Sequence, residues 1–204
     1  MRYYIADLHF FNGVLNTKMD KRGFASTEEM NEYMIRKWNE KVRPKDEVVV
    51  LGDFSYGNAE ETNKLLERLH GRIYLIEGNH DHFSSNSGFN SKRFVWVKQY
   101  AEMKDNGRKV VLCHYPIMCY NGQYRLDENG NPVAYMLYGH VHNTRDQRLL
   151  DQFQAITRST VAHCKDGVDR TIPCNMINCF CGYSDYTPLS LDEWIECDKK
   201  RREV

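Results

Sequence analysis

Three short apolar runs constrain the first half of this chain: RYYIAD (2–7), EVVVLGD (47–53) and RIYLIEGN (72–79). The middle run is a β-branched apolar block between charged ends, the composition of a strand buried on both faces. Two stretches of helical period separate the runs. In STEEMNEYMIRKWNEKV (26–42), Met30, Met34, Ile35, Trp38 and Val42 share one arc of a 3.6-residue wheel, and Ser26 with Glu29 predicts a capping box. Asn58 and Glu61 predict a second helix, with Ala59, Thr62, Leu65, Leu66 and Leu69 on one side and Gly71 at its end. Strand, helix, strand, helix, strand restricts the topology sharply. Strands joined by crossover helices pair in parallel.

The second half continues with strand-like runs, RFVWV, KVVLCH, PVAYMLYGH and NMINCF, and closes on SLDEWIECDKKRR (190–202), a helix with a Ser190–Glu193 box. A β-rich α/β core flanked by helices follows. With no repeat or linker, residues 1–204 read as one domain. Residues 143–172 are the least readable segment. Their arginines and lysine (Arg145, Arg148, Arg158, Lys165, Arg170) alternate with Asp146, Asp151, Asp166 and Asp169, which reads as a mixed, solvated face. Over the whole chain 28 basic residues balance 28 acidic ones, so no net field draws in a polyanion, and non-specific nucleic-acid binding is disfavoured. Seven cysteines without CxxC spacing read as reduced thiols. The opening MRYYIADLHF enters structure at once and no apolar run matches a membrane span, so a cytoplasmic protein is expected.

Polar residues gather where the apolar runs stop. The first ends in Asp7-Leu8-His9, the second in Gly52-Asp53, the third in Gly78-Asn79-His80-Asp81, VVLCH in His114, and YMLYGHVHN in Gly139-His140-Val141-His142. In a parallel-rich α/β sheet the carboxyl ends of strands share one edge, and ligands bind outside it. Taken singly each is weak: Asp-x-His is usually local hydrogen bonding and Gly-Asp is turn chemistry, while GNHD and GHVH are sharper, since two polar residues directly after a glycine turn are rarely needed for folding. Five clusters in chain order are another matter. Imidazoles, carboxylates and an amide oxygen suit Mn, Fe, Zn, Co or Ni. Seven donors exceed one closed zinc site, whereas a pair of metals sharing a carboxylate matches the count. Two cations roughly 3.5–4 Å apart clamp the attacking and leaving oxygens of an in-line displacement, and phosphate esters are the natural target.

With these blocks in place, D-L-H (7–9), G-D (52–53), G-N-H-D (78–81), H (114) and G-H-V-H (139–142), the sequence resembles the calcineurin-like metallophosphoesterases. The surrounding FASTEEMNEYMIRKWNEKVRPKDEVVVLGDFSYG and the tail YTPLSLDEWIE look like the small bacterial and phage phosphoesterase branch. The resemblance implies a β-sandwich of two mixed sheets flanked by helices. It also implies two divalent metals, manganese favoured, with Asp7, His9 and His142 on the first, Asn79, His114 and His140 on the second, and Asp53 bridging. A metal-bridging hydroxide would attack. His80 would donate a proton to, or a hydrogen bond onto, the departing oxygen, with Asp81 orienting His80. One departure concerns the substrate: many relatives carry Gly-His after D-L-H, but this chain has HFFNG, and Asn12 is the candidate for the phosphate-contacting place.

The remaining histidines read plainly: His70 ends a helix, His163 has no supporting pattern, and His82 is a loop residue or a substrate contact. Tyr115, Tyr120, Tyr124 and Tyr135 could stack a base, but core packing is preferred. The expected activity is hydrolysis of a small phosphodiester or phosphomonoester, nucleotide-like molecules included. A nuclease and a non-catalytic scaffold are the alternatives, and oligomeric state is left open.

Overall fold

The crossover pattern folds as a wholly parallel sheet. In the computed structural model, which describes residues 1–163 and 167–203, β1 (Arg2–Ile5), β2 (Glu47–Leu51), β3 (Arg72–Ile76) and β4 (Phe94–Lys98) lie side by side in that order. All three neighbouring pairs are parallel. The crossovers contain α1 (Thr27–Lys41) and α2 (Ala59–Arg68). Their apolar stripes, including Met30, Met34, Trp38, Leu65 and Leu66, pack with Ile5, Val48, Val50, Ile73 and Leu75 of the sheet. Asn58 and Glu61 form the reciprocal box at α2. At α1 the box is only half made. Ser26 Oγ accepts from the Glu29 N–H, but the Glu29 carboxylate takes the N–H of Ala25 and pins the entering loop instead.

After β4 the chain forms β5 (Tyr100–Asp105), β6 (Arg108–Cys113), β7 (Ala134–Tyr138) and α3 (Arg145–Ser159). A hairpin of β8 (Val161–His163) and β9 (Asp169–Thr171) follows, then β10 (Met176–Asn178) and α4 (Leu191–Arg202). The second sheet runs β10-β7-β6-β5, with β5 the antiparallel edge. The two sheets share one core: Tyr4, Val49, Leu51 and Ile76 of the first cluster with Val110, Leu112, Leu137 and Ile177 of the second. Trp194 of α4 is buried in the same cluster and donates its indole N–H to the Tyr4 carbonyl at 2.8 Å. The outer side of the second sheet packs Met136, Tyr138 and Met176 with Leu150 and Phe153 of α3. The sheets also join along one seam, where Ala6 exchanges backbone hydrogen bonds with Cys179 and Cys181. The chain is thus a mixed α/β fold of two packed sheets flanked by helices, with all the mixed pairing in the second sheet.

Three features differ from the sequence reading. Strand β5 was not foreseen, because YAEMKD lacks the β-branched density that marked the others. Residues 143–172 hold a fifteen-residue helix and a hairpin. Their charges are not all solvated: Arg158 donates to the Cys174 carbonyl and to Gln154, and Asp151 pairs with Arg201 of α4. Cys164, Lys165 and Asp166, part of the expected thiol set and mixed face, lie outside the described residues. The six described cysteines are free, and no helix among the described residues is long and apolar enough to cross a membrane.

Candidate metal centre

Every expected donor sits on a short hook just beyond a strand. Asp7 and His9 follow β1, Asp53 follows β2, Asn79 follows β3, His114 follows β6, and His140 with His142 follow β7. The hooks are tightly turned. Asp7, His9, Asp53, His140 and His142 all have left-handed backbone, with φ between 46° and 69°. Such a conformation costs a non-glycine residue about 1–2 kcal/mol, so the surroundings must over-determine it. They do so partly by zipping adjacent hooks together: His9 N–H donates to the Asp53 carbonyl and Phe10 N–H to that of Phe54. Glycine enters where two hooks touch. A Cβ on Gly139 would fall 2.8 Å from Asp7 Oδ2, and one on Gly78 would collide with the Asp53 carboxylate.

The side chains converge. Ligand atoms of Asp7, His9, Asp53 and His142 lie within 4.8 Å of one another, as do those of Asp53, His114 and His140, so Asp53 belongs to both groups. Across the first group, His9 Nε2 stands 3.2 Å from His142 Nε2 and 3.4 Å from Asp53 Oδ2. In the second, His114 Nε2 stands 3.5 Å from Asp53 Oδ2 and 3.1 Å from Asn79 Oδ1. The structure therefore brings all seven expected donors into one neighbourhood. Asp53 and His142 remain buried, whereas Asn79 and His140 are exposed.

Hydrogen bonds behind the rings set their tautomers. His142 Nδ1 lies 2.8 Å from Asp20 Oδ1, and His114 Nδ1 lies 2.8 Å from the Leu51 carbonyl. Both partners accept, so each Nδ1 carries a proton, and on losing its second proton each ring would aim an Nε2 lone pair at the centre. Asp20 is itself clamped by Arg22, whose guanidinium also donates to the carbonyls of Asp7 and Leu8. Asp20 and Arg22 escaped the sequence reading because they lie in a loop with no strand end and no motif; the string MDKRG (19–23) offers no period.

The electrostatics suit a cation. Burial pushes Asp7 up to about 6 despite nearby His142 and His114, and lowers His9 to about 3 despite Asp53. Burial also opposes the charged forms of Asp53 and His114, but their mutual pairing wins and moves them to about 2 and about 9. Among the described residues, buried Asp7 Oδ2 and His9 Nδ1 lack hydrogen-bond partners. A carboxylate oxygen left bare at full burial, beside converging imidazole lone pairs, is a donor set that a divalent metal completes.

The GNHD segment divides in an unforeseen way. His80 is half-buried and lines the cavity over the cluster, its ring 5.4 Å from that of His9. Asp81 does not orient it. The Asp81 carboxylate accepts from the backbone N–H groups of Asp53, Phe54, Ser55 and Gly78, tying the β2 hook to the β3 hook. Burial pushes this carboxyl up to about 7 against the pull of those N–H donors. The reason is direction: the carboxylate points inward to four unpaired amides, which an outward-facing ring cannot match. Asn12 lines the same cavity and accepts from the Val14 N–H through Oδ1, leaving its NH2 to donate. His82 is exposed near His80, His163 pairs with Asp169, and His70 contacts the Val42 carbonyl. Tyr120 is buried and Tyr135 packs against the shared core, while Tyr115 stands exposed with its ring 4.6 Å from that of His140.

A family model, the calcineurin-like phosphoesterase superfamily domain, matches residues 3–168. The chain belongs to that superfamily. It is 30% identical over 204 residues to MJ1445, an uncharacterized protein of Methanocaldococcus jannaschii, covering 99% of this chain and 93% of that protein. It also resembles the crystal structure of AQ665, a protein of unknown function from Aquifex aeolicus, with a TM-score of 0.64 and 22% identity over 95% and 96% of the two chains. That second likeness speaks to the fold.

Proposed function

We propose that the whole chain is one metallophosphoesterase domain, a cytoplasmic hydrolase of small phosphate esters working with two divalent metals. The observation that supports this best is the pair of donor groups overlapping at Asp53 in a chain of a phosphoesterase family. Asp7, His9 and His142 hold one metal, Asn79, His114 and His140 the other, and Asp53 serves both. The donor set, imidazole and oxygen without thiolate, suits Mn, Fe, Zn, Co or Ni, and manganese is the one favoured. Bound there, the metals supply Lewis-acid stabilisation of a phosphoryl group and a water acidic enough to attack near neutral pH.

The chain's own groups do the rest. His80, on the cavity wall, gives a proton or hydrogen bond to the departing oxygen. Asn12 donates to a phosphoryl oxygen through its NH2. Asp81 holds the two hooks that carry Asp53 and Asn79. The test is turnover of an aryl phosphodiester and an aryl phosphomonoester after loading with Mn, Fe, Zn, Co or Ni. Turnover with none of them would favour a non-catalytic scaffold. The variant His80→Ala should keep both metals while losing roughly 10²–10⁴-fold in kcat; loss of metal from that variant would overturn the division of roles.

A further inference from the structure

The cavity over the cluster, about 410 Å³, has a chemically distinctive lining. Apart from the metal donors, its lining is Asn12, Val14, Leu15, Met19, Tyr56 and His80. No lysine or arginine is among them. Val14, Met19 and Tyr56 are 59%, 56% and 55% exposed, a large apolar outlay beside a charged centre. Arg22, the guanidinium nearest in sequence, is spent on Asp20 and on the carbonyls of Asp7 and Leu8. Val14, Leu15 and Met19 lie on or beside a single π-helical turn, Leu15–Met19, an uncommon form that recurs at functional sites.

A phosphomonoester dianion and a phosphodiester monoanion ask different things of such a lining. The dianion presents an extra charged oxygen, which is costly against apolar surface without a fixed cation to meet it. The diester presents a second ester arm in that place, and an apolar arm gains by covering Val14, Met19 and Tyr56. Resting on the phosphoesterase reading above, we propose that the substrate is a phosphodiester whose second ester arm is apolar or aromatic and packs on the Val14–Met19–Tyr56 wall.

Three substrates with one leaving group test this: p-nitrophenyl phosphate, methyl p-nitrophenyl phosphate and bis(p-nitrophenyl) phosphate, each with the manganese-loaded protein. The expected order of kcat/KM is aryl diester first, methyl diester second and monoester last, with about tenfold or more between the two diesters. In the double variant Met19→Ala, Tyr56→Ala, which alters exposed side chains, the aryl-to-methyl ratio should fall about tenfold. A binding readout runs alongside: by calorimetry diphenyl phosphate should bind more tightly than phenyl phosphate, and the double variant should erase the difference. A monoester turned over faster than both diesters, or an unchanged ratio in the variant, overturns this inference and leaves the phosphoesterase reading standing. No turnover of any of the three after loading with Mn, Fe, Zn, Co or Ni overturns both.

Discussion

The two halves of the centre share Asp53 and differ in almost everything else. On one side Asp7, His9 and His142 are buried, and His142 is backed by the charged pair of Asp20 and Arg22. On the other, His114 is buried but Asn79 and His140 reach solvent, and the ring of His114 rests on a backbone carbonyl. Burial works against Asp20, yet the His142 ring and Arg22 hold its carboxyl below the usual range, so a full negative charge stands behind that imidazole. A carboxylate behind a ring raises its basicity more than a neutral carbonyl does. On the proposed two-metal reading, the contrast implies that the ion in the buried half would be held more tightly than the one in the exposed half.

The most severe way to break the contrast is Asp53→Asn. Both sites should empty together, and kcat/KM should fall on the order of 10³-fold, the several kcal/mol that metal charge supplies. Elemental analysis that found one metal at full occupancy would separate the halves completely. A sharper cut is Asp20→Asn, which should weaken the buried site about 10–100-fold while sparing its neighbour. Competition with a graded chelator would read the two affinities, and loss of the exposed metal instead would invert the ranking.

Acidity should separate the halves more gently. His114 sits near 9 in the metal-free chain and must shed its proton to ligate, so uptake into its half should strengthen about tenfold per pH unit below about 9 and then level off. In the other half His9, lowered to about 3, owes no proton over that range, but His142 does. Burial lowers His142, yet the Asp20 hydrogen bond wins and raises it, so both halves should show acid dependence, each in its own range. The linked effect on the metal-free fold has the opposite sense. With its folded value raised above 6.5, His114 stabilises the fold fully below pH 6.5, and that contribution fades as pH rises through about 9. Metal titrations and thermal melts between pH 6 and 10, the latter in chelator, would follow both. The smallest effect expected is from Asn79→Ala. One exposed amide ligand should cost a few-fold in occupancy of the outer metal, at the low end of what a single hydrogen-bonding group is worth.

The donors were legible because each followed an apolar run, and a parallel sheet collects such positions along one edge. Gly78 and Gly139 helped, since each preceded polar residues that folding rarely needs. What stayed hidden is of two kinds. Asp20 and Arg22 act through a loop whose path depends on tertiary contacts, and no local pattern marks them. Asp81 was visible, but its partners were not, because three backbone amides of the β2 hook and one of its own loop leave no trace in side-chain identity. Residues 143–172 hid a helix for a related reason: α3 buries Gln147 and Gln154 in place of a clean apolar stripe, with Gln147 bonded to Tyr138 and Asn178. The wall of Val14, Met19 and Tyr56 is exposed, so no hydrophobic period announced it.

The seam between the sheets has a consequence for how the molecule is made. Residues that brace β1 arrive near the other end of the chain: Cys179 and Cys181 bond to Ala6, the Cys181 thiol donates to the Asp7 carbonyl, and Trp194 reaches Tyr4. On a ribosome the first strand therefore emerges well before its last neighbour exists. Pairings so distant in sequence slow folding and leave an early edge unprotected. Asp7 and His9 precede in translation the residues that lock them, so a nascent chain carries these candidate donors long before it has the architecture to position them.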